Sequence, residues 1–364
     1  MLSIRSSRAR WAVPVAAAAV VAATLVVTPM VAGAAPALPP RTPAELLAST
    51  RAAVDHPFSG TVVQTARLGL PDLPRSGHGA STSLSLASLV TGSHTARIWY
   101  AGPDRSRVAL VGDFAQTDLI RSGRDLWTWS SADNTAKHLT VPAHDDTTPM
   151  PDTLTPGQAA QQALAAIDPT TAVTVEGTAS VAGRSAYELV LRPRDERSLV
   201  GQVRLAVDSA TSTPLRVEVF ARSGGKPAFE TTFTAIQFAT PRASLFTFRP
   251  PAGAKVSEQT LPAKPDAAQR KAFADKRATM DRPTVVGTGW TSVLVMNGVD
   301  TADTSSPELG ALLRSAKSVS GSYGTGRVIQ TALVSALLLD DGRLLVGSVT
   351  PQVLEQAAAA GPVR

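Results

Sequence analysis

Residues 92–141 read GSHTARIWYAGPDRSRVALVGDFAQTDLIRSGRDLWTWSSADNTAKHLTV. Five short strand-favouring runs, 94–100, 107–112, 117–122, 126–130 and 138–141, are broken by Gly102-Pro103-Asp104, Gly123-Arg124-Asp125 and Ala132-Asp133-Asn134. Those breaks are turn chemistry, with residues that tolerate left-handed backbone or preset a bend, rather than helix caps. The stretch predicts an antiparallel meander, and a meander with no catalytic motif in it predicts a sheet that holds something.

Downstream the alternation is cleaner. Tyr187, Leu189, Leu191; Val203, Leu205, Val207; Leu215, Val217, Val219; and Phe229, Thr231, Phe233 alternate with Glu188, Arg192, Gln202, Arg204, Asp208, Arg216, Glu218, Arg222 and Glu230. Period-two alternation with one charged side means an antiparallel sheet wet on one face and covered on the other. Two helices are expected to cover it. Thr42, Pro43 and Glu45 read as an N-cap, a first-turn proline and a first-turn acid, opening a helix to about Val54. A second helix starts at Thr155-Pro156 and runs through Ala159, Ala160, Ala163, Leu164 and Ile167, a face of small side chains. Phe58–Leu68 is expected as a strand and 69–88 as a long mobile loop, of a length that is uncommon inside a domain and often functional.

Beyond Pro251, residues 252–282 are rich in Lys and Ala and read as a charged helical linker. The tail then predicts a small α+β unit: a strand or strand pair over 283–297, a helix over 307–314, one strand over 328–339, a hairpin turn at Asp340-Asp341-Gly342, its partner over 343–349, and a last helix over 351–360.

Composition bounds the function. The chain has 364 residues and 43% hydrophobic content, enough for two domains and a sizeable core, but only 5% aromatics, so the core is built on Ala, Val and Leu. Half of the +6 charge comes from Arg5, Arg8 and Arg10, and a further excess sits in 264–282. The remainder is near neutral, which argues against a nucleic-acid partner. The first 34 residues are Arg-rich, then apolar over 11–31, then Ala32-Gly33-Ala34-Ala35, the layout of a secretory signal cleaved after Ala34. An uncleaved anchor competes, since the apolar run approaches the ~20 residues a bilayer needs. Either reading places the body outside the cytoplasm, and without cysteine it must be held by packing alone.

The search for chemistry yields no catalytic residue, metal site or cofactor. His56, His78, His94, His138 and His144 show no metal-ligand spacing, and His144-Asp145-Asp146 reads as a solvated loop. Ser223-Gly224-Gly225-Lys226 has the Ser-x-x-Lys spacing of acyl-enzyme hydrolases but joins two alternating strands and lacks the supporting motifs, so it reads as a hairpin turn. Trp127 and Trp129 share one strand face, to be read as packing under a helix or as lining for a ligand.

Taken together, the helix from Pro43, the strand from Phe58, the meander around Asp118–Trp127, the Thr155-Pro156 helix and the four amphipathic strands resemble the LolA-like superfamily over about Thr42–Pro251. That group includes periplasmic lipoprotein carriers, mycobacterial lipid-carrying lipoproteins and the large domain of the sigma-E regulator RseB; the likeness is greatest to actinobacterial members. The tail from Pro283 resembles the small domain of RseB, in Trp290–Leu294 and Gly342–Val349. The resemblance implies an α+β fold in which a strongly curved antiparallel sheet, an unclosed β-barrel, is covered by helices and followed by a small C-terminal unit. Domains are expected at 1–34, 42–251, 252–282 and 283–364. It further implies a lipid or acylated protein as ligand. The expected lining is Trp127, Trp129, Val203, Leu205, Val217, Val219, Phe229 and Phe233, with Leu164 and Ile167 on the covering helix. The alternative is a regulatory protein in which the sheet is simply a core and the tail or linker engages a membrane-bound protein partner.

Overall fold

A computed structural model describes residues 37–52, 56–69, 92–112, 115–141, 155–165, 167–260, 283–299 and 313–361. The signal-like segment, most of the loop expected over 69–88, His78, the His144 cluster, linker residues 261–282 and most of the helix expected over 307–314 lie outside them.

Among the described residues one twelve-stranded sheet dominates. It opens with β1 (Phe58–Ala66), then the meander β2 (Gly92–Tyr100), β3 (Arg105–Val111), β4 (Gln116–Ser122), β5 (Asp125–Ser130) and β6 (Thr135–Thr140). A second meander follows: β7 (Thr171–Val181), β8 (Arg184–Pro193), β9 (Val200–Asp208), β10 (Pro214–Ala221) and β11 (Phe229–Gln237), and last comes β12 (Lys255–Thr260). The spatial order is β12-β6-β5-β4-β3-β2-β1-β11-β10-β9-β8-β7, so β1 joins the two meanders by pairing with β2 on one side and β11 on the other. Pairing is antiparallel except at one edge, where β12 lies parallel to β6. The edges β12 and β7 do not meet, so the sheet is an open half-barrel. Its curvature comes from register shifts in β1/β11, β9/β10 and β7/β8, since each bulge bends its strand. Side chains of β7 and β11, with three strands between them, consequently share one core cluster.

Close packing dictates the glycine at position 60. A Cβ on Gly60 would stand 2.9 Å from the Phe233 ring and 2.7 Å from the Ala235 carbonyl, so only glycine lets that ring lie across β1.

Two helices cover the curved face. In α1 (Pro43–Arg51) the Thr42 hydroxyl accepts from the Glu45 amide (3.3 Å) and Glu45 accepts from the Thr42 amide (2.8 Å), a capping box that starts the helix and buries Leu46 completely. In α2 (Pro156–Ala165) Thr155 and Gln158 make the same reciprocal pair. Arg51 donates to the Leu164 carbonyl (3.3 Å), tying the C-terminal turns of the two helices together.

A six-stranded antiparallel sheet forms the second unit, in the order β13-β14-β18-β17-β16-β15. Its strands are β13 (Thr284–Val286), β14 (Val293–Met296), β15 (Lys317–Gly321), β16 (Gly324–Gln330), β17 (Ser335–Leu339) and β18 (Leu344–Gly347). The helix α3 (Pro351–Ala359) packs Leu354 and Ala358 against Val293, Leu337, Leu339 and Leu345.

The elements differ from expectation in four places. Strand β7 has no counterpart in the sequence reading, nor has β15. The single strand expected over 328–339 is two, β16 and β17, with a turn at 331–334. Residues 255–260, expected to open a helical linker, form β12, because their backbone completes the exposed edge of β6.

Candidate functional site

The two faces of the large sheet have separate chemistries, and cross-strand register traces them. Directly opposed residues share a face. One row runs Ala66, Phe229, Val219, Val203, Leu191, Val173; the next runs Gln64, Thr231, Val217, Leu205, Leu189, Val175. These rows line the concave face. Val203, Leu205, Val217, Leu189 and Leu191 are at most 2% exposed and join Leu46, Ala159, Ala160 and Leu164 in one cluster, with Val219, Phe229 and Ile167 half-buried against it. The helix α2 crosses β10 and β11 with Ala159, Ala160 and Ala163 turned inward beside one larger side chain, Leu164, so much of its contact with the rows is made by methyl groups. Phe233 belongs to the same face, opposite Val62, but packs in the adjoining cluster with Phe58, Ile98 and Val108.

The other face starts on β1 at the alternate residues. Its rows run Ser59, Trp99, Arg107, Ile120, Trp127, His138, Glu258 and Thr61, Arg97, Ala109, Asp118, Trp129, Ala136, Val256. The register of β1 through β6 is unbroken, so Trp127 and Trp129 stand on the opposite face from the rest of the expected lining. What covers them is the chain itself. Residues 243–248 leave β11 and cross back over β3 and β4, burying Phe246 to 2% exposure and placing Phe248 at 5.2 Å from Trp127 and 6.3 Å from Trp129, ring centre to ring centre. Trp127 also stacks on His138 at 4.1 Å, whose Nε2 lies 2.8 Å from Asp125. Beneath this strap Asp118 is buried and pairs with Arg107 at 2.9 Å, while Arg107 reaches the Leu245 carbonyl and lies over the Trp99 ring.

Farther along the convex face, β7–β10 carry a ladder of paired charges: Arg192 with Glu176 and Gln202, and Arg216 with Glu188 at 2.6 Å and Glu218 at 3.4 Å. Burial pushes the Glu218 carboxyl above its usual range, with Glu230 and Glu188 adding to the push against the pull of Arg216 and Arg204. At the end of β9, burial alone would raise the Asp208 carboxyl; hydrogen bonds from Arg184 and Thr211 outweigh it and hold it below the usual range. These are structural pairs, and among the described residues no group of three metal-type ligands converges. Ser223 and Lys226 lie in the exposed turn between β10 and β11, with Gly224 and Gly225 in left-handed conformation.

The concave cluster contains residues from a part of the chain that the sequence reading left outside it. Leu333 of the second unit is buried there, with Ala332, Val334 and Trp290 half-buried around it. The units also meet through main-chain bonds, Leu199 N to Ser348 O (2.8 Å) and Thr350 N to Arg197 O (3.2 Å), and through Trp290 Nε1 to Thr171 Oγ1 (2.8 Å). A cleft of about 510 Å³ in the second unit is lined by Tyr323, Asp341 and Arg343, but Arg343 already serves Asp341, the Ala358 carbonyl and the Tyr323 carbonyl.

No protein-family model matches the chain, and no curated protein matches it in sequence. Among solved structures it is similar to MucB in complex with MucA(peri), at 17% identity and TM-score 0.42 over 86% of this chain and 96% of that one. It is similar to the Pseudomonas aeruginosa MucA/MucB complex at 17% identity and TM-score 0.42, over 87% and 96%. A LolA superfamily protein from Nitrosomonas europaea aligns at 14% identity and TM-score 0.22, over 57% and 99%. At these scores the likenesses assign no ligand and no residue role. Strand order and register, on their own, give the open, helix-covered antiparallel half-barrel with a small second sheet that the LolA-like resemblance implied.

Proposed function

We propose that this chain is a non-enzymatic, extracytoplasmic binding protein that takes a lipid or an acylated protein against the concave face of its half-barrel. The observation that carries the reading is the cover: two largely apolar rows on β7–β11 are roofed by a helix that presents Ala159, Ala160 and Ala163 beside a single leucine, Leu164. Methyl contacts are weak holds, and an acyl chain replacing them gains about 0.8 kcal/mol per buried methylene without needing a charged anchor. The lining is Val203, Leu205, Val217, Val219, Phe229 and Phe233, with Leu164 and Ile167 on the cover. Among the described residues no helix is long and apolar enough to cross a membrane.

Titrating the delipidated full chain with a fluorescent fatty acid tests this. Saturable binding that is lost in a folded Val217→Trp variant supports the reading, and absence of binding by the unmodified chain, with no lipid seen in native mass spectra, overturns it. A second reading, a regulator that engages a membrane-bound protein partner, is favoured by the near-complete burial of the concave cluster, which in that case is only a core.

A further inference from the structure

The turn joining β16 to β17 is built unlike a surface hairpin. Its residues are Thr331, Ala332, Leu333 and Val334, without glycine, proline, asparagine or aspartate. Thr331 closes it alone: its hydroxyl accepts from the amides of Leu333 (3.3 Å) and Val334 (2.9 Å) and donates to the Val334 carbonyl (2.9 Å), while its amide donates to the same carbonyl (2.8 Å). A turn satisfied within itself is a preformed projection. Leu333 at its tip is 8% exposed, yet it belongs to the cluster of Leu46, Leu164, Val203 and Val217 and not to the core of its own unit. It shares that cluster with the small residues Ala159 and Ala160 of α2. One main-chain bond, Ala332 N to Leu68 O (2.8 Å), anchors the turn to the large unit, and the remaining bonds between the units noted above are few and polar.

An apolar side chain delivered from a second unit, on a rigid turn, into the interior of the first has the form of a tethered ligand. We propose that the Thr331–Val334 turn is a displaceable plug, so that an acyl ligand and the docked second unit compete for the same concave face. The inference rests on the ligand reading above and adds its regulation: ligand entry undocks the second unit, and any partner that holds the second unit in place excludes the ligand.

Because the chain has no cysteine, a single engineered pair can lock the turn. Leu68 and Ala332 are joined by a main-chain hydrogen bond and both pack against the concave cluster, so Leu68→Cys with Ala332→Cys is the pair to bridge, and closure of the disulfide on oxidation is verified by mass spectrometry before titration. The full chain is titrated with a fluorescent fatty acid in four forms: unmodified, Leu333→Ala, and the double-cysteine variant oxidised and reduced. The proposal expects Leu333→Ala to bind on the order of tenfold tighter than the unmodified chain. It expects the oxidised variant to lose binding and the reduced one to regain it. Equal titration of the oxidised and reduced forms, or no tightening in Leu333→Ala, with Val217→Trp still abolishing binding, overturns the plug and leaves the ligand reading standing. Absence of binding in all four forms overturns both.

Discussion

Replacing Arg222 with leucine should loosen the second unit from the first without touching a residue of the second. The Arg222 guanidinium gathers the loop after β8: its Nε donates to the Ser198 carbonyl (2.7 Å), and one terminal nitrogen faces the carbonyls of Asp195 (3.0 Å), Val200 (3.2 Å) and Pro193 (3.4 Å). That same loop carries the docking contacts, since Ser198 bridges Val349, Leu199 donates to Ser348 and the Arg197 carbonyl accepts from Thr350. One nitrogen cannot serve three acceptors well at once, so the side chain supplies about two good bonds. At about 1 kcal/mol each for a solvent-reachable site, the loss is about 2 kcal/mol. Amide exchange is the assay, because the Leu199 and Thr350 amides are the docking bonds themselves. In the regime where opening is fast, about 2 kcal/mol is on the order of a thirtyfold faster exchange at those two amides, with the amides of β8 and β9 unchanged. Lysine at 222 should behave like leucine, since it lacks the planar fork. Unchanged exchange at Leu199 and Thr350 in Arg222→Leu would refute the reasoning.

Asp118→Asn should cost about 3 kcal/mol in urea unfolding by leaving Arg107 unpaired beneath the strap, and Arg107→Leu in the same chain should recover part of it; additive losses would show that the pair is not coupled. Asp208, held below its unfolded value, contributes stability that is present above the unfolded pKa near ~3.9 and is lost as pH falls through the lower folded value. The acid limb of the stability profile should therefore flatten in Asp208→Asn, and an unaltered limb refutes its role. Phe248→Ala should shift the fluorescence emission of Trp127 and Trp129 to the red, as the strap no longer covers them; an unshifted spectrum means that the strap does not shield the rings.

The strands of the meander were legible because each ends in residues that only turns favour, and α1 because Thr42, Pro43 and Glu45 name its first turn. Other elements were hidden for physical reasons. In β7, Glu176 and Gly177 sit where the register slips between Val175 and Thr178, so the alternation breaks mid-strand, although Ala182-Gly183 marks the hairpin that follows. β12 has no apolar alternation because all six of its residues are exposed, and it is a strand only by virtue of β6. The turn at 331–334 reads as strand because Ala332, Leu333 and Val334 are apolar, and they are apolar because they pack against another unit's core. Alternation placed Trp127 and Trp129 on one face of β5, but which face that is relative to Val203 depends on a register carried through β4, β3, β2 and β1 to β11, which no local pattern encodes.

The position of β1 has a kinetic side. The first strand of the sheet to be made is a central one, flanked by β2 and by β11, and Ser59, paired with Trp99 on one side, finds its second partner at Gln237. Until that far strand exists, β1 presents an open edge, and the two meanders are not yet one sheet. Closing so long a loop before the pairing rewards it is entropically slow. Order of synthesis and order of pairing are thus decoupled in this chain: β1 is made first, yet the pairing that joins the two meanders into one sheet waits for β11.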